Sequence, residues 1–355
     1  MFRACLGFSL LLASLQAAAQ TTAPGQNTQS APPPVTGIAT PSDPAQHLDV
    51  GRKVNGLVVP GAKPWHLKAT YQLYDEKGKP AETGTYEEWW FGPRQYRVAY
   101  HSPSFNQEEY GTEKGVFRTG DQGWVPWPAS EIRDEIESPI EPDDYLPNPI
   151  PQNMDRKLGS KVLPCIGFAG KHQKHPEDGS KSYCFNVTQP ALRYANSNDF
   201  TYQTSYNRLV VFDNHFTARI ITTQFIGIDA LSVQVEDLES LQPQQDSLAT
   251  PPADALPGPR RVLRLPVSDA LKLLQKTAPD YPPGARSNGI SGTVIVVAHT
   301  DTSGHVVTAQ AVAGQSMLRT AGVNAVRNWR YTPPRINGNP VEVEIQVKVI
   351  FALVE

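Results

Sequence analysis

Cys165 and Cys184, the two histidines between them (His172 and His175), and the adjacent acidic pairs Glu87-Glu88, Glu108-Glu109 and Asp143-Asp144 are the side chains whose types and spacing could do chemistry. Paired carboxylates could act as general acid and base. Neighbouring residues on a strand point to opposite faces, so each pair reads instead as one inward and one solvated group. Setting aside Cys5, which sits in an N-terminal export segment, two cysteines remain, an even number for an oxidising compartment. CxxC-type zinc spacing is absent, so a Cys165–Cys184 disulfide is preferred over a metal site using the loop histidines. Closing that loop would stabilise the fold by roughly 3 kcal/mol. The chain has no GxSxG, no HExxH and no Gly-rich phosphate loop with lysine. No metal and no cofactor is expected, and the reading is a binding protein, not an enzyme.

The elements that must position these groups fall into segments. The 355 residues fit two domains, and a formal net charge of −3 gives no sign of a nucleic-acid partner. Residues 1–19 read as a signal peptide: Arg3, a short apolar core from Leu6 to Leu15, and small residues at Ala17 to Ala19. The apolar stretch falls short of the roughly 20 residues that span a bilayer. Export to the periplasm is the expectation, with an uncleaved anchor in the inner membrane as the alternative. Many of the 33 prolines cluster in residues 20–46 and 241–260. The first cluster, rich in Pro, Thr and Gln, is expected to be disordered, and the second reads as an extended linker.

Residues 47–240 are expected to form a β-rich middle domain with a helix near its start. Trp65, Leu67, Ala69, Tyr71 and Leu73 alternate with polar residues, the period of a half-buried strand. Strand and turn signals continue through GTYEEWWF, Tyr96–Tyr100 and Tyr110–Arg118, and return from Tyr183 to Val235. An antiparallel meander of eight or more strands follows. The tryptophans Trp89, Trp90, Trp124 and Trp127 read as core fillers.

Residues 261–355 show α+β patterning. Val267–Gln275 has helical spacing. Gly289–His299 and Val306–Val312 read as strands around an Asp301–Gly304 turn. A helix through Leu318, Ala321, Ala325 and Val326 ends at Trp329-Arg330-Tyr331. Val341, Val343, Ile345, Val347 and Val349 alternate with Glu342, Glu344, Gln346 and Lys348, placing one apolar and one polar face on a final strand. The expected result is a three-stranded antiparallel sheet with two helices on its apolar side.

Residues of about 276–353 resemble the C-terminal domain of the TonB energy-transducer family. The likeness rests on YPPGAR, the glycines and valines at Gly289, Gly292, Val294 and Val296, the turn at Asp301 and Gly304, AVRNWRY, and NGNPVEVEIQVKV. The resemblance implies a protein-binding module that adds an extended peptide of an outer-membrane transporter, or of another envelope protein, to an edge strand. By position, Val341, Val343, Ile345, Val347 and Val349 would form that strand. Asp280, Tyr281, Pro282, Pro283, Ala285 and Arg286 would lie beside the peptide. Transducers of this family keep a membrane helix and a continuous Pro-rich linker, and here a whole β domain intervenes. The middle domain, through TYEEWWFGPRQYRVAY and RLVVFDNHFTARIITTQF, resembles LolA/LolB-type periplasmic lipoprotein carriers, which implies a half-barrel closed by helices. That resemblance implies an alternative role, transport of a lipid or acyl chain, with the TonB-like domain as the docking module.

Overall fold

Strict alternation along Trp65–Tyr74 buries Trp65, Leu67, Ala69 and Tyr71 on one face, and the same period recurs on the neighbouring strands. The computed structural model describes residues 38–353, apart from 60, 141–149, 169–180, 197–201, 259–262, 265–271, 334, 337–338 and 341. The signal and Pro-rich readings of residues 1–37, the loop histidines His172 and His175, and Asp143-Asp144 therefore lie outside the described residues.

After helix α1 (Pro44–Val54) come β1 (Trp65–Tyr74), β2 (Pro80–Gly92), β3 (Gln95–His101), β4 (Asn106–Thr112) and β5 (Gly115–Gly120). Helix α2 (Glu131–Glu137) precedes β6 (Pro151–Leu158), β7 (Lys161–Phe168), β8 (Ser182–Phe185), β9 (Leu192–Asn196), β10 (Tyr202–Phe212), β11 (His215–Phe225) and β12 (Ile228–Ser240). With β13 (Leu256–Gly258) they form one 13-stranded sheet, ordered β13-β5-β4-β3-β2-β1-β12-β11-β10-β9-β8-β7-β6. Every pairing in it is antiparallel.

Side chains from β3 (Tyr96, Val98, Tyr100) and from β8 (Tyr183, Phe185) belong to one buried cluster together with Leu48 of α1 and Ile132 and Ile136 of α2. Seven strand spacings separate β3 from β8, about 34 Å in a flat sheet, so the sheet curls around the two helices. Glycines assist the close packing. Gly84 stands opposite Tyr71 and Gly111 opposite Tyr96, and a Cβ on Gly111 would come within 2.2 Å of the Tyr96 ring. Asn55 ties α1 to the sheet: its amide donates to Gly51 O and Pro190 O, and its oxygen accepts from Leu192 N.

Cys165 and Cys184 are opposite each other on β7 and β8 and are joined by a disulfide. Within the expected Pro-rich linker, the described residues up to Gly258 carry local structure. Pro243–Ala249 forms a 3-10 turn, Gln95 Nε2 donates to Asp246 Oδ2 (3.3 Å), and β13 pairs with β5. Prolines leave few donors to satisfy, so such a strand suits a sheet edge.

The C-terminal region contains β14 (Leu263–Arg264), β15 (Leu273–Gln275), helix α3 (Pro283–Ser287), β16 (Gly292–Thr300), β17 (Val306–Ala313), helix α4 (Ser316–Arg327), β18 (Arg330–Tyr331), β19 (Arg335–Ile336), β20 (Asn339–Pro340) and β21 (Val343–Phe351). Its main sheet has four strands, β14-β21-β16-β17, instead of the expected three, and β14 runs parallel to β21. A pairing only two residues long carries no alternation that a sequence could reveal. Leu273–Gln275, expected to end a helix, is a strand paired with β18. Tertiary pairing outweighs helical spacing there, and residues 265–271 lie outside the described ones.

Candidate functional site

The residues expected to bind a partner divide into an inner and an outer set. Val343, Ile345, Val347 and Val349 are buried in the core of the C-terminal region with Val294, Val296, Leu318, Val326 and Trp329. They hold β21 in place, with their side chains turned into this core. Val341 lies outside the described residues. Ala285 is fully buried, Tyr281 and Pro282 are half-buried, and Asp280, Pro283 and Arg286 are exposed. Tyr281 donates to Ile290 O (2.5 Å), meets Phe351 edge-on at 5.5 Å and carries the Arg286 guanidinium over its ring at 5.2 Å. YPPGAR is thereby fixed against the C-terminal end of β21.

β21 is not a simple edge strand. β16 pairs with its whole length, and on its other side β14 covers Val343 and Glu344. Among the described residues, the stretch Ile345–Phe351 has no strand on that second side. Lys348 and Ile350 there are exposed, Ile350 at 70%.

The acidic pairs resolve as their strand positions require. Glu87 faces outward to His66 (2.8 Å) and Glu108 to Arg97 (2.8 Å), whereas Glu88 and Glu109 point into the core. Inside, Arg133 of α2 lies 2.8 Å from Glu137, 3.3 Å from Glu109 and 3.4 Å from Glu88. Arg118 closes on Glu109 at 2.6 Å, and Tyr86 donates to the second oxygen of Glu88. Burial holds the Glu88 carboxyl well above the usual carboxylate range, and the neighbouring Glu137 pushes it further; Arg133 opposes both. Three buried carboxylates facing two guanidiniums make full ionisation of the cluster costly, in line with the raised Glu88 carboxyl.

Sequence reasoning missed a junction. The second face of the C-terminal sheet, expected to be solvated, packs against the large sheet. Ile295 joins Phe225 and Ala230, with Trp127, Tyr202 and Val312 around them. His299 Nε2 lies 2.9 Å from Glu344 Oε2, and Trp124 meets the His299 ring edge-on at 4.4 Å. Gln346 donates to the Tyr202 hydroxyl (3.3 Å), and Arg319 pairs with Glu76. Trp124 and Trp127 are therefore junction residues, while Trp90 fills the core, stacked on Trp65 at 6.0 Å. Trp89 faces outward, between His66 and Arg97. A signal for the junction was present: Val294–Ala298 is an unbroken apolar run, the mark of a strand covered on both faces.

These features define a curled antiparallel sheet joined to a small α+β module. Residues 277–353 match the family model described as "Gram-negative bacterial TonB protein C-terminal". "Protein TonB" of Xanthomonas campestris pv. campestris (strain B100) is 32% identical over 77 residues, 21% of this chain and 34% of that protein. The chain thus spans about a third of the length of the curated relatives it matches. Among solved structures, the TonB C-terminal domain of Pseudomonas aeruginosa is 24% identical, covering 25% of this chain and 94% of its own, with a TM-score of 0.23. A LolA superfamily protein from Nitrosomonas europaea is 6% identical, covering 58% and 94%, with a TM-score of 0.38. Among the described residues, no helix is long and apolar enough to cross a membrane.

Proposed function

We propose that this chain is a non-catalytic adaptor of the cell envelope, made of two domains (47–240 and 261–355). Its C-terminal module captures an extended segment of a partner, of the outer-membrane transporter class, by strand addition on β21. The family match over residues 277–353 carries this reading. The position of YPPGAR beside Phe351, and the reach of β14 over Val343 and Glu344 alone, support it. Main-chain hydrogen bonds would supply the affinity, and pockets beside the strand the selectivity. Export through residues 1–19 belongs to the same reading.

Photo-crosslinking in cells tests it, with a photoreactive amino acid at Ile350 or Lys348 of the full chain. Adducts with an outer-membrane transporter are the expected result. Adducts from an exposed site in the other sheet, such as Val162 on β7, with none from Ile350, would sink the proposal.

Carriage of a lipid or acyl chain by the large-sheet domain is the second reading, and the curling of its sheet around two helices favours it. As folded, the interior holds a recess of about 10 Å³ and the junction with the C-terminal sheet one of about 80 Å³, against roughly 300–1,000 Å³ for an ordinary small-molecule pocket. A wider recess of about 780 Å³ is lined mainly by polar side chains such as Thr70, Gln72, Thr85 and Gln234. Carriage would therefore require α2 or the C-terminal module to move. Native mass spectrometry of the purified full chain tests this, and a ligand-free mass alone would remove the carrier reading.

A further inference from the structure

At the junction a cavity of about 80 Å³ opens between the large sheet, α2 and the C-terminal sheet, lined by Gln107, Arg118, Trp124, Ser130, His299 and Glu344 among others. One water needs roughly 10–15 Å³ of such space, so the cavity accommodates an occupant of several heavy atoms. Two of its lining side chains present buried polar atoms without a hydrogen-bond partner among the described residues, Gln107 Oε1 and His299 Nδ1. Both residues are more than nine-tenths buried, at 1% and 8% exposure.

The chemistry of these two atoms is fixed by their other ends. The Gln107 amide nitrogen donates to Asp121 O (2.5 Å) and Gly123 O (2.8 Å), so the atom left over is the oxygen, an acceptor. His299 Nε2 lies 2.9 Å from Glu344 Oε2. An ionised carboxylate can only accept, so Nε2 is the donor of this pair, and in the tautomer with its hydrogen on Nε2 the ring offers a lone pair on Nδ1. The Ser130 hydroxyl is also without a partner among the described residues. Buried acceptors without donors are costly, so the occupant must donate.

Charge narrows the choice further. The lining carries three carboxylates (Glu109, Asp134, Glu344) and two guanidiniums (Arg118, Arg133), three minus two giving a surplus of one negative charge. Both guanidiniums are already engaged by Glu109. A cationic donor complements such a lining better than a neutral one, and Trp124 and Tyr100 add aromatic wall. We propose that this junction cavity binds the primary ammonium group of a small amine, with Gln107 Oε1 and His299 Nδ1 accepting its N–H bonds. The amine could be free, or it could be the amino head group of a lipid.

Ethanolamine is titrated into the full chain, with calorimetry and the His299 ring nitrogen resonances as readouts, and choline as control. Choline keeps the charge and lacks the N–H donors. The expected result is saturable ethanolamine binding, with choline at least about tenfold weaker. Gln107→Met should weaken ethanolamine by a similar factor with the His299 resonances still those of a docked junction. Equal binding of choline, equal binding of glycerol, or a crystal soaked in ethanolamine that shows only water in the cavity would overturn the proposal. Vesicle flotation separates the two sources. Retention on phosphatidylethanolamine but not phosphatidylcholine vesicles assigns a lipid head group, and binding of ethanolamine without retention on either assigns a soluble amine.

Discussion

His299 and Glu344 face each other across β16 and β21, with Nε2 and Oε2 2.9 Å apart, on the side of the C-terminal sheet that meets Trp124, between β5 and α2. Glu344, on the polar face expected for the final strand, is thus buried together with His299 where the C-terminal sheet meets the rest of the chain. Both strands bury valines on the opposite face in their own core. The sheet is thus covered by its own core on one face and over only part of the other, where Lys348 and Ile350 stay exposed.

Separating the two regions should be possible without unfolding either. Ile295→Asp places a carboxylate among Phe225, Ala230, Trp127 and Tyr202, and an unpaired buried charge is strongly disfavoured. Undocking should relieve it, because Ile295 lies outside the core formed by Val294, Val296 and Ala298. The expected outcome is a single unfolding transition in the parent chain and two in the variant, read by differential scanning calorimetry, with faster proteolysis within 241–262.

The buried charge network should respond unequally to its members. Arg133→Met leaves Glu88, Glu109 and Glu137 without their shared cation and should cost about 3–5 kcal/mol. Glu88→Gln should be close to neutral in acid and relatively stabilising at higher pH. The folded-state pKa of Glu88 is raised above its ordinary value of 4.5. Its contribution is therefore fully present below that value and is lost as pH rises towards the folded pKa. Urea denaturation of parent and variant at about pH 5 and about pH 8 checks the sign. An advantage of the glutamine variant confined to the lower pH would contradict it.

Reduction of Cys165–Cys184 should weaken one end of the large sheet. The bond closes 19 residues of sequence between two neighbouring strands, and its loss should cost about 3 kcal/mol. Hydrogen exchange should rise first in β6 to β9 and leave β1 to β4 protected, since that edge is far along the strand order from them. Comparing the parent with a Cys165→Ala/Cys184→Ala variant gives the measurement.

Gly111→Ala should be destabilising by more than the usual surface substitution. The new Cβ would lie 2.2 Å from Tyr96 Cε1, inside the space the ring occupies. A cost of about 1–3 kcal/mol is expected. Tyr96→Leu in the same background should recover part of it, as a double-mutant cycle would show.

Much of the architecture was legible because it is periodic and local. Alternation along Trp65–Leu73 and Val343–Val349 fixed both the strands and their buried faces, and an even number of cysteines, on either side of a polar loop, pointed to their pairing. Adjacent glutamates on β2 and β4 had to split between core and surface, as Glu88 and Glu109 against Glu87 and Glu108 show. The two-residue parallel strand β14 and the extended Leu273–Gln275 were not legible, since each exists only through a distant partner.

By itself, then, the sequence determined which residues could form strands, which face of each was apolar, and that residues near 277–353 carry a TonB-like pattern. Tertiary structure alone decided what the remaining faces meet. Whether His299, Glu344 and Gln346 are bathed in water or closed against Trp124 and Tyr202 depends on how two separately patterned sheets dock. Docking of that kind is set by shape and charge on side chains more than a hundred residues apart, and it leaves no periodic trace in the chain.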